Sequence, residues 1–195
     1  MSLADQSGFD VRCEWGVEGV EALVGCRTFI VVDVLSFSTC VAVAVDRGVL
    51  ILPQTVGKNA AVEKAVGHHV VAAGPRGSGY SLSPGSLLEA PAGMTLALPS
   101  PNGAAVSLKA SGRGHVLAGC LRNRTAVGRR AMALGGPFGL IAAGERWDDG
   151  TPRWALEDLI GVGAVAQMLP GAASPEASAA IAVFRSVANE LLPTL

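Results

Sequence analysis

Residues 28–39 read TFIVVDVLSFST. The run from Thr28 to Val34 is nearly continuous in β-branched and apolar side chains, with no polar alternation. That pattern marks a strand buried on both faces, as in a parallel sheet covered by helices. Asp33 stands near the end of the run, and Ser36, Ser38 and Thr39 follow it. A helix is expected from Ser38 to Arg47, with a hydroxyl residue available as its N-cap. A buried strand that passes through a short polar turn into a helix is half of a βαβ unit.

Working outward, the same alternation recurs. Val11 to Trp15 reads as an edge strand. Val49 to Leu52 reads as a short strand closed by Pro53, and Asn59 to Val66 as a helix stopped by Gly67. Strands are expected at His69–Ala73, Met94–Leu98, His115–Ala118 and Phe138–Ala142, and helices at Asn102–Lys109, Asn123–Leu134 and Trp154–Met168. Gly, Ser and Pro dominate a long loop from Gly74 to Gly93, and a second loop spans Gly144 to Arg153. Ser174-Pro175-Glu176 is a start signal for a final helix: a Ser N-cap, Pro at the first helical position and an acid in the first turn. Strands and helices in this order predict α/β architecture with a largely parallel or mixed central sheet covered on both faces. No linker or repeat divides the chain, so one domain over residues 1–195 is expected.

Composition narrows the function classes. Half of the 195 residues are hydrophobic and 16% are charged, which suits a packed core and excludes general disorder. Fifteen basic side chains against sixteen acidic ones leave a net charge of −1, and aromatics make up only 5%, so neither a nucleic-acid footprint nor a base-stacking platform is expected. The most apolar stretch, Thr28 to Val45, is interrupted by Asp33, Ser36, Ser38 and Thr39, which argues against a membrane span. Cys13, Cys26, Cys40 and Cys120 have no CxxC spacing and read as buried thiols. The N-terminus MSLADQSGFD has neither a basic region nor an apolar one of signal type, so a cytoplasmic location is expected. An enzyme or a small-ligand binder remains.

In open α/β sheets, ligands bind beyond the carboxyl ends of the strands. Polar residues directly after each strand are therefore the candidates. Asp33 is costly to bury unless it is paired, metal-bound or used to hold a neighbouring loop. Ser38 and Thr39 open a helix whose free N–H groups welcome an anion, or they serve only as caps. Ser100-Pro101-Asn102-Gly103 again follows a strand: Gly103 lets backbone approach a ligand closely, and Asn102 either caps or binds. Arg122 and Arg124, around Asn123, could clamp an oxyanion. Asp148-Asp149-Gly150 reads as a polar turn. The acids of the loop Ala143–Gly150, Glu145 among them, with Glu157-Asp158 near the start of the next helix, could create a site for a hard cation such as Mg²⁺; for Glu157-Asp158 the alternative is simply to suit the helix dipole. His68, His69 and His115 lie at strand beginnings, the wrong edge for catalysis.

Taken together, VVDVLSFSTCVAVAVDRG (31–48), SLSPGSL (81–87), LPSPNGAAV (98–106), AGCLRN (118–123) and AAGERWDDGTPRWALEDLIGVGA (142–164) resemble the 2-phosphosulfolactate phosphatases, in the same order. The resemblance implies a three-layer α/β/α fold. It also implies Mg²⁺-dependent hydrolysis of 2-phospho-3-sulfolactate to 3-sulfolactate and phosphate, a step of coenzyme M biosynthesis. By position, Asp33 matches the family's strand-end acid, Ser38 and Thr39 its hydroxyl pair, Asn102-Gly103 its Asn-Gly turn, Asn123 its second Asn, and Glu157-Asp158 its acidic pair. On this reading Asp33 and Asp158 are catalytic, and Asp33 with Glu157 or Asp158 holds Mg²⁺. Ser36, Ser38, Thr39, Ser100, Asn102, Gly103 and Asn123 contact substrate, and Arg76 or Arg122 receives its second anionic group. Ser36 stands where many members carry Arg, and Gly74-Pro75-Arg76 stands where many carry Gly-Glu-Arg. Members usually continue past the Ser174-Pro175-Glu176-Ala177 helix start, whereas this chain stops at Leu195.

Two other readings stay open at this level: a relative with the same chemistry and another substrate, and a non-catalytic anion-binding or regulatory protein. The apolar helices Trp154 to Met168 and Ala177 to Leu192 could in addition form the interface of a homodimer.

Overall fold

In the computed structural model, which describes residues 6–55 and 70–191, strands and helices alternate along the chain. In order they are β1 (Val11–Trp15), α1 (Gly16–Ala22), β2 (Thr28–Val32), α2 (Phe37–Asp46), β3 (Leu50–Gln54), β4 (Val70–Ala72), a 3-10 turn (Pro84–Leu87), β5 (Thr95–Pro99), α3 (Gly103–Ala110), β6 (His115–Gly119), α4 (Arg124–Leu134), β7 (Phe138–Ala142), the short strands β8 (Glu145–Arg146) and β9 (Pro152–Arg153), α5 (Leu156–Ala166) and α6 (Pro175–Leu191). The expected helix at Asn59–Val66, together with His68 and His69, lies outside the described residues.

β2 is buried along its whole length, as its unbroken apolar run requires. It lies inside a four-stranded sheet of order β1-β7-β2-β6, with every pairing parallel. Register brings the strand ends level: Val32 pairs with both Gly119 and Ala142, and Ala142 pairs with Trp15. The residues that follow these four strands therefore share one rim. The remaining strands form a second parallel sheet, β3-β5-β4, so the expected parallel sheet is present in two parts.

Alternate β2 and β7 side chains feed separate layers, which is the three-layer α/β/α arrangement. Phe29, Val31 and Ile141 pack under α1 and α3 with Val20, Leu23, Val106 and Ala110. Ile30, Val32, Leu140 and Ala142 pack against Val127 and Ala131 of α4, Val162 and Val165 of α5, and Ala177 and Ala180 of α6. A third cluster joins α2 to the second sheet through Phe37, Cys40, Ala44, Leu96 and Leu98. Each such side chain contributes about 1.5–3 kcal/mol on burial. Val162, Val165 and Ala166 of α5 and Ala177, Ala180 and Phe184 of α6 are buried within the chain, whereas Leu156 at the start of α5 is exposed. Gly163 lies so close to the Ala180 carbonyl that a side chain there would collide with it.

Several boundaries move for identifiable reasons. β2 stops at Val32 rather than Val34 because the next backbone N–H groups leave the ladder: the Asp33 N–H donates to the Ser38 hydroxyl and the Val34 N–H to Asp158. β3 runs through Pro53, which is tolerated because β3 is an edge strand. α1 lies in a segment with no helix expected; its glycines mask the Val17, Val20, Leu23 spacing. The expected 144–153 loop contains the antiparallel β8–β9 pair. Trp154 stays outside α5, stacked on Trp15 with ring centroids 5.5 Å apart. Ser174 caps α6 as expected, its hydroxyl accepting from the Ala177 N–H at 3.1 Å. All four cysteines are buried and unbridged. Among the described residues, no helix is long and apolar enough to cross a membrane.

Candidate active site

The shared rim gathers the segments that follow β2, β5, β6 and β7. Asp33 is at its centre and is 6% exposed. Its Oδ1 accepts from the Phe37 N–H at 3.0 Å, and its Oδ2 accepts from the Gly103 N–H at 2.8 Å and the Ser100 hydroxyl at 3.3 Å. Its main-chain oxygen accepts from the Ser38 N–H at 2.8 Å. One carboxylate thus holds the first turns of α2 and α3 together. Burial raises its pKa; the Phe37 and Gly103 N–H groups oppose the shift, and the charge of Glu145 adds to it. Gly103 is required here. A Cβ at this position would lie 2.5 Å from the Asp33 Oδ2 and 2.6 Å from Phe37 Cδ1.

Asp158, 3% exposed, makes the second link across the rim. Its Oδ1 accepts from the Val34 N–H at 2.7 Å and its Oδ2 from the Gly144 N–H at 2.9 Å. It therefore joins the segment after β2 to the segment after β7. Burial pushes its carboxyl up to about 7 against those two bonds, and the charges of Asp33 and Glu157 push the same way. Glu157 is half-buried on the neighbouring position of α5.

The hydroxyl residues are spent on backbone. Ser38 donates to the Val31 carbonyl at 3.0 Å, and Thr39 to the Val34 carbonyl at 2.7 Å, so neither caps α2. Ser36 holds the N-cap position and makes no side-chain cap bond; its hydroxyl donates to the Leu82 carbonyl at 3.0 Å. The N–H groups opening α2 are met by Asp33 instead. Asn102 and Asn123 also occupy N-cap positions without capping through their side chains. The Asn102 amide donates to Glu145 Oε2 at 3.0 Å. The Asn123 Oδ1 accepts from the Cys120 N–H at 2.8 Å and its amide donates to the Ala118 carbonyl at 3.0 Å, which closes the turn after β6.

Beside this scaffold opens a cleft of about 560 Å³, lined by Ser36, Thr39, Arg76, Arg122 and Glu145 among others. Of the residues expected from sequence, Ser36, Thr39, Arg76 and Arg122 line it directly. Asp33, Ser38, Ser100, Gly103, Asn123, Glu157 and Asp158 do not line it, and Asn102 is bonded to its Glu145.

Glu145 is the functional candidate that the sequence does not single out. In sequence it is one acid of the 143–150 loop, yet it is the second residue after the Ala143 that follows β7 and it lines the cleft. Gln54 was missed as well, because β3 was expected to end earlier. Among the described residues its buried Nε2 has no hydrogen-bond partner, and its main-chain carbonyl accepts from the Ser100 N–H at 3.0 Å.

The donor chemistry bears on a divalent cation. Among the described residues, no three His, Cys, Asp or Glu side chains gather as a metal site. The bonded oxygens of Asp33 and Asp158 face N–H groups, and Glu157 stands beside Asp158 on α5. The carboxylate that lines the cleft is Glu145.

No curated protein matches the chain. The family model described as 2-phosphosulpholactate phosphatase matches residues 19–195, a span that includes every segment of this rim from β2 to α5, and the chain belongs to that family of phosphoric monoester hydrolases.

Proposed function

We propose that the protein hydrolyses 2-phospho-3-sulfolactate to 3-sulfolactate and phosphate, the step that serves coenzyme M biosynthesis, in the cleft between Ser36 and Glu145. The observation that carries this reading is a cleft with cationic and acidic walls at the carboxyl ends of the parallel strands, in a chain matched over residues 19–195 by the phosphatase family. The substrate carries phosphate, carboxylate and sulfonate groups. Arg76 gives the cleft positive charge that draws in such an anion.

Glu145 supplies the acidic oxygen on the opposite wall. Its position is fixed from two sides, by the Asn102 amide and by Asp158, which holds the preceding Gly144 N–H. Mg²⁺ is commonly held by one or two carboxylates, with the remaining positions left to water and substrate phosphate. Glu145 would hold it here, and the ion would neutralise charge on the transferred phosphoryl group. Asp33 and Asp158 act in this reading as positioning residues. They keep the segments after β2, β5 and β7 at fixed separations, so the groups facing the substrate need little rearrangement.

The test is phosphate release from 2-phospho-3-sulfolactate by purified protein, with and without added Mg²⁺. Metal-dependent turnover is expected, with a loss of about 100-fold or more in Glu145→Gln. Absence of phosphate release above the uncatalysed rate would overturn the proposal.

A further inference from the structure

We infer that Arg76, positioned by Ser36, binds the second anionic group of the substrate and so selects phosphate esters that carry a carboxylate or sulfonate close to the phosphate. The inference rests on the phosphatase reading above and deepens it. Arg76 and Arg122 both line the cleft, but their surroundings differ. The Arg122 Nη2 lies 3.0 Å from Asp46 Oδ2, and both side chains are more than half exposed, at 55% and 63%. Its charge is already met at the surface. Arg76 has no carboxylate within ion-pair distance among the described residues.

What Arg76 has instead is an aimed neutral partner. Its Nη2 donates to the Ser36 hydroxyl oxygen at 3.2 Å. Ser36 has already given its own proton to the Leu82 carbonyl, so its oxygen is left to accept. Ser36 is 6% exposed and does not swing away. The loop bearing Arg76 is braced as well: the Gly74 N–H donates to the Tyr80 carbonyl at 2.8 Å, and Gly74 bridges to Ser81. Inside the loop, the Ser78 hydroxyl and N–H both donate to the Pro75 carbonyl, at 2.9 and 3.1 Å.

A guanidinium has five N–H donors, and the bond to Ser36 uses one. The rest of the fork can grip a carboxylate or sulfonate in a bidentate manner. Arg76 is itself exposed, and the bond to Ser36 ties one end of its fork to the cleft wall. Glu145 lines the same cleft and, with the cation it would hold, would take the phosphate on its own side, so a ligand with two anionic groups is oriented as well as bound. Ser36 acts through Arg76 and is a positioning residue.

The experiment compares kcat/KM for 2-phospho-3-sulfolactate with that for ethyl phosphate, which lacks a second anionic group, in the wild type and in Arg76→Gln, Arg76→Lys, Ser36→Ala and Arg122→Gln. The ratio between the two esters should fall about 30-fold in Arg76→Gln, mainly through KM, and be partly recovered in Arg76→Lys. It should fall about 5-fold in Ser36→Ala, mainly through KM on the sulfolactate ester, and stay within about threefold of wild type in Arg122→Gln. A ratio unchanged by Arg76→Gln, or one lost in Arg122→Gln, overturns the assignment. If the wild type hydrolyses neither ester, the phosphatase reading fails separately, and calorimetric titration with 3-sulfolactate decides the clamp. Binding weakened about 30-fold by Arg76→Gln supports it; absent binding, or binding equal in the two proteins, overturns it.

Discussion

Gly103→Ala tests the scaffold behind the cleft more sharply than any change to a charged residue. The added methyl would sit 2.5 Å from Asp33 Oδ2, 2.8 Å from Asp33 Cβ and 2.6 Å from Phe37 Cδ1. None of these atoms can easily retreat. Asp33 and Phe37 are 6% and 1% exposed, and Asp33 is bonded to the Phe37 N–H as well as to Gly103. Overpacking at such a site costs about 1–3 kcal/mol. Stretching or losing the Gly103 N–H bond to a carboxylate costs about 1.5–3 kcal/mol more. A total of about 3–5 kcal/mol lowers the Tm of a chain of this size by about 10 °C or somewhat more. Thermal and urea melts followed by circular dichroism read the loss. Gly85→Ala is the control: a Cβ there meets nothing within 4 Å, and its melt should differ by no more than about 0.5 kcal/mol. A Gly103→Ala protein melting within about 2 °C of wild type would refute the tight Asp33–Gly103 junction.

Three further outcomes follow from the same structure. Folding lifts the Asp158 pKa from 3.8 to about 7, so its contribution to stability is fully present below the ordinary carboxylate range and is lost as pH rises through about 7. Urea stability should therefore fall between pH 5 and pH 8, by up to about 2.5 kcal/mol from this group, with the slope flattened in Asp158→Asn; a wild-type stability that rises over that range contradicts the assignment. Gly163→Ala drives a methyl into the Ala180 carbonyl and should separate α5 from α6, at a cost of about 3 kcal/mol or more in urea melts; a neutral result would mean the two helices are not packed as described. The exposed Arg122–Asp46 pair should show a coupling below about 1 kcal/mol in a double-mutant cycle; a larger value would give it a structural role that its exposure argues against.

Much of the fold was legible from residue patterns, because burial on both faces of β2 and β7 leaves an unbroken apolar run that no surface strand needs. The rim was legible for the same reason: in a parallel sheet, polar residues after strands must meet at one end, and Asp33, Ser100, Gly103 and Asp158 do. What periodicity does not carry is strand order, so the division into two sheets did not show. Nor does composition reveal where a lone pair is spent. Ser38 and Thr39 read as caps or phosphate ligands, yet each donates to a carbonyl within the β2–α2 turn. Asn123 likewise closes its own turn. Glu145 was hidden for the opposite reason: nothing in GERWDDG separates the one acid that lines the cleft from the exposed acids Asp148 and Asp149 beside it.

Crystals soaked with 3-sulfolactate and phosphate test the account most directly, because its central claim is a location. Both products are expected in the cleft beside Ser36, Thr39 and Glu145, with an anionic group of sulfolactate on Arg76. Density found instead only at the opposite end of the strands, in the recess formed by Asp10, Pro137 and Gly171, would contradict it.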